Sequence, residues 1–309
     1  MMATLRNATT GETQLVEPEH IFGRAPTAST QIAASYVSAQ HAQLRWTGAR
    51  WVLRDLGSRN GTFLNGDRLT VGEERPARSG MTFSFGKANA DPWEFLDDSP
   101  PTVMAAPLDG GEPVLLSGEL LAVPSENDPQ VTIYRGTETP WLLERADAAT
   151  TAITNSQTFN AGGRTWRFCC PETVCDTALA TAQHDIEVRH LQLIFSVSRD
   201  EEHVELRMTC GGQTFDMGAR GHNYLLVTLA RRREEDAAQG LPETSCGWVY
   251  QEDLVRGLTI EPAQLNLEVY RIRQQFSALG VSEPANIVER RPRTRQLRIG
   301  TAHLTIMRL

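Results

Sequence analysis

Between Asp55 and Gly66 the chain reads DLGSRNGTFLNG, two Asn-Gly pairs five residues apart with Thr-Phe-Leu between them. Asn-Gly is the dipeptide best suited to a two-residue hairpin turn, because both positions tolerate left-handed backbone. Around this stretch short apolar runs alternate with turn signals, as in AQLRWTG, ARWVLRDL, GTFLNGDRLTV and GMTFSFG. Helical periodicity is absent there, so the leading part is expected to be an all-β sandwich.

A Pro-rich acidic junction, DDSPPTVMAAPLDGGEP, follows as a linker or irregular connector. The next segment is again β in pattern, with VTIYRG, WLLER and TFNAGGRTWRFCCP, in which Gly162-Gly163 supplies a turn. Its closing hairpin is similar to MTFSFG, so this segment is expected to be a partial, degenerate copy of the first, lacking any Asn-Gly loop or Ser-x-x-His. VCDTALATAQHD, residues 174–185, reads as a short helix or a linker. The third part opens with LQLIFSVS, HVELRMTC and QTFDMG, a small antiparallel sheet. Helices are expected over HNYLLVTLARRR, over YQEDLVRGL and from Pro262 to Leu279, the last opened by Pro262 and stopped by Gly280. Two strands joined by an Arg-rich tip, IVERRPRTRQLRIG, come near the end. The expected division is multidomain: a sandwich over 1–98, a β-rich middle domain over 99–188 and an α+β domain over 189–309.

The 309 residues are 40% hydrophobic, yet no run approaches the length of a membrane span. The N-terminus lacks the apolar region of a secretory signal, and five Cys at irregular spacings form no disulfide framework. A cytoplasmic protein without a membrane partner is expected. The net charge of −8 hides an asymmetry: from Pro262 to Leu309 eight Arg face three Glu, in a chain whose only Lys is Lys87. That end is expected to meet a polyanion. Cys169, Cys170 and Cys175 with His184 lack zinc-site spacing and read as buried thiols. No P-loop, Ser-His-Asp order, paired carboxylates or cofactor motif stands out, so neither an enzyme nor a cofactor is expected.

Upstream of the Asn-Gly loop lie Phe22-Gly23-Arg24 and Ser38-Ala39-Gln40-His41. Gly-Arg, then Ser-x-x-His, then Asp-Leu-x-Ser-x-Asn-Gly-Thr-x-x-Asn-Gly resembles the forkhead-associated (FHA) domain, a β-sandwich that binds phosphothreonine peptides. The resemblance covers roughly residues 1–97. It implies that Arg24, Ser38 and Arg59 contact the phosphate and that Asn60 holds the peptide main chain. A planar guanidinium fork and a hydroxyl suit a doubly charged group rich in acceptor oxygens, and an amide carries both donor and acceptor. His41, Gly61 and Asn65 are expected to support the loops rather than touch the ligand.

In the last helix Leu265, Val269, Ile272, Phe276 and Leu279 form one apolar stripe. At 100° per residue Leu267, Tyr270, Arg271, Gln274 and Ala278 lie away from it, with Asn266 and Arg273 on its flanks. The order of sheet, three helices and hairpin, with LNLEVYRIRQQF as its sharpest stretch, resembles the winged helix-turn-helix output domain of OmpR-type response regulators. That resemblance implies a DNA-reading helix presenting Asn266, Leu267, Tyr270, Arg271, Arg273 and Gln274. It makes Arg290, Arg291, Arg293 and Arg295 the wing, near backbone or minor groove. Together the two resemblances imply a bacterial transcription regulator under Ser/Thr kinase signalling. Its partners would be a phosphothreonine-containing protein, kinase or kinase substrate, and double-stranded DNA; a homodimer would suit a half-site reader. The rival expectation is a phosphopeptide-dependent adaptor whose winged helix contacts protein.

Overall fold

The alternation in the leading part drives it into two sheets, since successive side chains of a strand point to opposite faces. In the computed structural model, which describes residues 2–136, 141–171, 186–291 and 293–309, one sheet runs β2 (Thr13–Leu15), β1 (Thr4–Asn7), β11 (Trp93–Asp97), β10 (Thr82–Phe85), β7 (Thr62–Leu64), β8 (Asp67–Arg68). The other runs β4 (Thr30–Gln31), β3 (Glu19–Gly23), β5 (Ala42–Trp46), β6 (Trp51–Asp55), β9 (Glu74–Ala77). Their apolar faces share one core, in which Leu5, Phe22, Leu44, Leu53, Phe83 and Phe95 are wholly buried. Phe22 stacks on Phe85 at 4.6 Å between ring centres. Asn65 (φ 52°) and Gly66 (φ 87°) both take left-handed backbone and turn β7 into β8, with Leu64 opposite Asp67.

The middle segment forms two four-stranded sheets. One runs β13 (Val114–Leu115), β12 (Met104–Pro107), β19 (Arg164–Cys169), β18 (Thr158–Ala161); the other is the meander β14 (Leu120–Ser125), β15 (Asp128–Arg135), β16 (Trp141–Arg145), β17 (Thr151–Ile153). The first order follows β2-β1-β11-β10 and the second β3-β5-β6-β9, with no strand among the described residues in the place of β4, β7 and β8. The chain divides into two compact units, Met1–Leu115 with Asn155–Phe159 and Arg164–Ala180, and Leu116–Thr154 with Asn160–Gly163 and Thr181–Leu309. Residues 99–188 are thus shared between the units instead of forming a third. The helix or linker expected over 174–185 lies outside the described residues.

In the second unit β20 (Ile186–Glu187) pairs with β25 (Val281–Ser282), and a sheet runs β23 (Gln213–Ala219), β22 (Val204–Cys210), β21 (Gln192–Val197), β28 (His303–Arg308). Three helices follow the first three of those strands: α1 (Asn223–Ala238), α2 (Gln251–Leu258) and α3 (Pro262–Ala278). A short strand between α1 and α2, β24 (Val249–Tyr250), joins the terminal hairpin of β26 (Val288–Arg291) and β27 (Gln296–Ile299) in the order β24-β27-β26. The α3 stripe behaves as its period demands: Leu265, Val269, Ile272 and Phe276 are buried in a core with Leu225, Leu229, Leu254, Leu297 and Ile299. Among the described residues no helix is long and apolar enough to cross a membrane.

Gly23 and Gly300 are required by close backbone approach. A Cβ on Gly23 would stand 2.1 Å from the Ala39 carbonyl oxygen, and one on Gly300 would stand 1.9 Å from that of Asn286. Both obstacles are backbone, so the chain itself must move. Gly23→Ala and Gly300→Ala are each expected to lower stability by about 1–3 kcal/mol. Urea denaturation of the full chain checks this; unchanged midpoints would show that these approaches relax freely.

Candidate functional site

The tight passage at Gly23 brings the end of β3 against the loop before β5. Arg24 N–H donates to the Ser38 carbonyl at 2.9 Å, and Ala25 N–H to that of Ala39 at 3.1 Å. The Arg24 side chain is exposed, and its Nε donates to the Val37 carbonyl at 3.3 Å. Ser38 Oγ accepts the Arg59 N–H at 3.1 Å, and Asn60 Nδ2 donates to the Tyr36 carbonyl at 2.8 Å. Arg24, Ser38, Arg59 and Asn60 therefore converge on one pair of adjoining loops. Neither Arg24 nor Arg59 has a carboxylate partner among the described residues. The Ser38 hydroxyl keeps its proton for a further acceptor, and Asn60 keeps its Oδ1 and one N–H.

Behind this surface His41, wholly buried, ties the two loops together. Its Nδ1 accepts the Ser38 N–H at 3.0 Å and its Nε2 donates to the Gly61 carbonyl at 3.0 Å, which assigns one neutral tautomer. Burial holds the His41 pKa below 6.5, against the opposing pull of the Gly61 carbonyl and Asp55. Gly61 takes φ 90°, and Asn65 Oδ1 accepts the Thr82 N–H at 2.8 Å, so both serve the loop frame.

Asp55 is the residue the sequence reading missed. Its Oδ1 accepts the N–H groups of Gly57 and Ser58, and its Oδ2 accepts the hydroxyls of Ser58 and Thr62 at 2.6 Å. Ser58 Oγ in turn accepts the Gly61 N–H at 2.9 Å. Burial opposes the Asp55 charge, but these hydrogen bonds outweigh it and hold the pKa below the usual range. The signal was present in Asp-Leu-Gly-Ser, since Asp bonding the amides two and three residues ahead is a common turn device. Arg68 was also missed; its guanidinium lies over Gly61, within 2.4 Å of where a Cβ would be. No sequence signal marks it, because β8 reaches Gly61 only through the hairpin.

The Arg-rich end departs from expectation. Tyr270 and Arg273 are not outward: each is 2% exposed, and the Arg290 side chain is only 6% exposed. Tyr270 is covered by Leu120 and Ala122 of β14, while Glu144 of β16 takes both Arg273, at 2.7 Å, and Arg290, at 3.0 Å. The helical wheel put Tyr270 away from the stripe and Arg273 on its flank, and the winged-helix resemblance put Arg290 in the wing; strands far away in sequence occupy that side. Gln274, half-buried, reaches Glu126 at 3.3 Å. Asn266, half-buried, accepts from Arg290 at 3.1 Å, and Leu267 is half-buried. Arg291 lies 3.8 Å from the Trp248 ring and donates to the Thr244 carbonyl, so it anchors the segment between α1 and α2. Arg271, Arg293 and Arg295 are exposed. Cys169 and Cys170 are buried, burial pushing the Cys169 thiol up to about 12; Cys175 and His184 lie outside the described residues.

His20, in the same unit as His41, is also fully buried, and burial lowers its pKa to about 4. For both histidines the folded pKa lies below the unfolded value of about 6.5, so the unfolded chain binds protons first as pH falls. Their contribution is complete above about pH 6.5 and is lost on acidification. Stability of the leading unit is expected to decline from about pH 6.5 towards pH 4, by on the order of 3 kcal/mol from His20 alone. Chemical denaturation across that range checks it; a His20→Gln variant with the same pH profile as the parent would refute the assignment.

The FHA domain family matches residues 20–86, a span that contains Arg24, Ser38, His41, Asn60 and Asn65. The FHA domain-containing protein FhaB of Mycobacterium tuberculosis is 36% identical over 62 residues, 20% of this chain and 40% of that protein. FhaB of Mycolicibacterium smegmatis is 36% identical over 56 residues, 18% of this chain and 36% of its own. The chain thus spans less than half the length of these relatives. A solved FhaA FHA domain is 30% identical, covering 30% of this chain and 97% of its own, with a TM-score of 0.26. The leading sandwich, with its Arg24, Ser38 and Asn60 loops, is an FHA domain.

Proposed function

We propose that this protein is a phosphothreonine-sensing transcription regulator, with the FHA domain as sensor and the second unit as a winged helix that binds duplex DNA. One observation carries the sensor reading: Arg24, Ser38, Arg59 and Asn60 share one surface whose guanidinium groups have no carboxylate partner among the described residues. A phosphate with about two negative charges and three acceptor oxygens fits that set of donors. Of the relatives, the FhaA FHA domain was solved with the intracellular domain of Rv3910, and another FHA domain, from S. cerevisiae Rad53p, with a phosphothreonine peptide. Threonine is favoured over serine by family resemblance alone.

The DNA reading is supported by topology. A sheet, three helices and a hairpin joined by a short strand between α1 and α2 is the order expected of a winged helix. It is supported too by exposed Arg271, Arg293 and Arg295. A second reading, the adaptor whose winged helix contacts protein, is favoured by the burial of Tyr270, Arg273 and Arg290.

Calorimetry with phosphothreonine, phosphoserine and unmodified peptides tests the sensor. Arg24→Ala is expected to weaken phosphothreonine binding about 10- to 100-fold, the loss of one charge-assisted contact. Equal binding of phosphorylated and unmodified peptides would refute it. For the DNA reading, Arg293→Ala and Arg295→Ala are each expected to lower the log-log salt slope of duplex binding by about one. Retention on DNA that is indifferent to salt and to both substitutions favours the adaptor.

A further inference from the structure

The second face of α3 is closed by the chain's own strands, within the same compact unit. Tyr270 is covered by Leu120 and Ala122, with Tyr134 of β15 beside them. Arg273 donates to both oxygens of Glu144, at 2.7 and 3.2 Å, and to the Val288 carbonyl at 2.7 Å. Arg290 reaches the same carboxylate at 3.0 Å, and the Tyr134 hydroxyl donates to it at 3.2 Å. Among the described residues one carboxylate therefore serves two buried guanidinium groups, and one positive charge has no carboxylate of its own. Among the described residues Arg273 Nε and Arg290 Nη1 find no acceptor.

A seam built only for stability has no reason to bury a surplus cation and unmatched donors, because each costs desolvation that nothing returns. A surplus of that sign is what remains when a single carboxylate stands in for a ligand with more negative charge. We infer that the sheet β14-β15-β16-β17 is the resting occupant of the α3 face, with Glu144 where phosphates of duplex DNA would sit, and that DNA competes with it. This inference rests on the DNA-binding reading above. Release of the sheet frees Tyr270, Arg273, Gln274 and Arg290, four of the side chains expected to face the duplex.

The seam can be locked by chemistry. A Cβ on Gly118 would lie 3.6 Å from Ser277 Cβ, within the roughly 3.5–4.5 Å that a disulfide spans. The experiment measures binding of the full-length protein to a random-sequence duplex over a range of salt. Glu144→Gln is expected to bind about tenfold or more tightly than the parent, with a log-log salt slope larger by about two. Adding Arg273→Ala is expected to remove that gain. The double variant Gly118→Cys, Ser277→Cys keeps Glu144; it is expected to bind when reduced and to lose binding when oxidised. If reduced and oxidised forms bind alike and Glu144→Gln matches the parent, while Arg293→Ala still weakens binding, the competition is refuted and the DNA reading stands. If no form binds duplex, both fall.

Discussion

A carboxylate taken out of water must find cations, and Glu144 finds two. Burial works against its charge, yet Arg273 and Arg290 hold its pKa below the usual range. That one group joins β16 to α3 and to the terminal hairpin, three elements with no sequence proximity. Removing either side would strand a charge in the interior, which is why such pairs resist simple truncation. With Glu144 in place the meander β14–β17 lies on α3, and beyond the helix ends Arg271 is its exposed residue.

The FHA site uses buried polar groups for the opposite end. His41 and Asp55 spend their hydrogen-bonding capacity inward, on the amides, carbonyls and hydroxyls of the loops. Arg24 and Arg59 stay outside with no carboxylate partner among the described residues, so the loops are tied from within while their positive charge is unspent. Preorganisation of this kind reduces the ordering cost of binding, because donors need not be collected when the ligand arrives. The two units thus treat arginine differently. In the first it is held open on a fixed frame, and in the second the pair Arg273 and Arg290 is closed over by an internal anion.

The repeated strand orders of the middle segment bear on how a fold can persist without its site. β12 to β19 share the neighbour order of the leading sheets, and among the described residues no strand stands where β4, β7 and β8 do. Those are the strands that frame the Arg24 and Asn60 loops. Pairing order is carried by dispersed apolar alternation, whereas a ligand site needs particular residues at particular turns, so the second can vanish while the first survives.

Local causes made much of this legible in the sequence. Asn65-Gly66 turned as its backbone preference requires, Leu265 to Phe276 sank their stripe into the core, and Gly-Arg, Ser-x-x-His and Asn-Gly marked the loops that meet at the FHA site. Asp55 and Arg68 were harder, since an Asp in a turn has many ordinary uses and Arg68 is brought to Gly61 by a hairpin. Residue chemistry and period were enough for most of the elements and for the loops that carry Arg24, Ser38 and Asn60. Which face of α3 meets solvent was decided only by tertiary structure. The group that closes it, Glu144, lies 129 residues from Arg273, and a helical wheel contains no information about what another part of the chain will place against it.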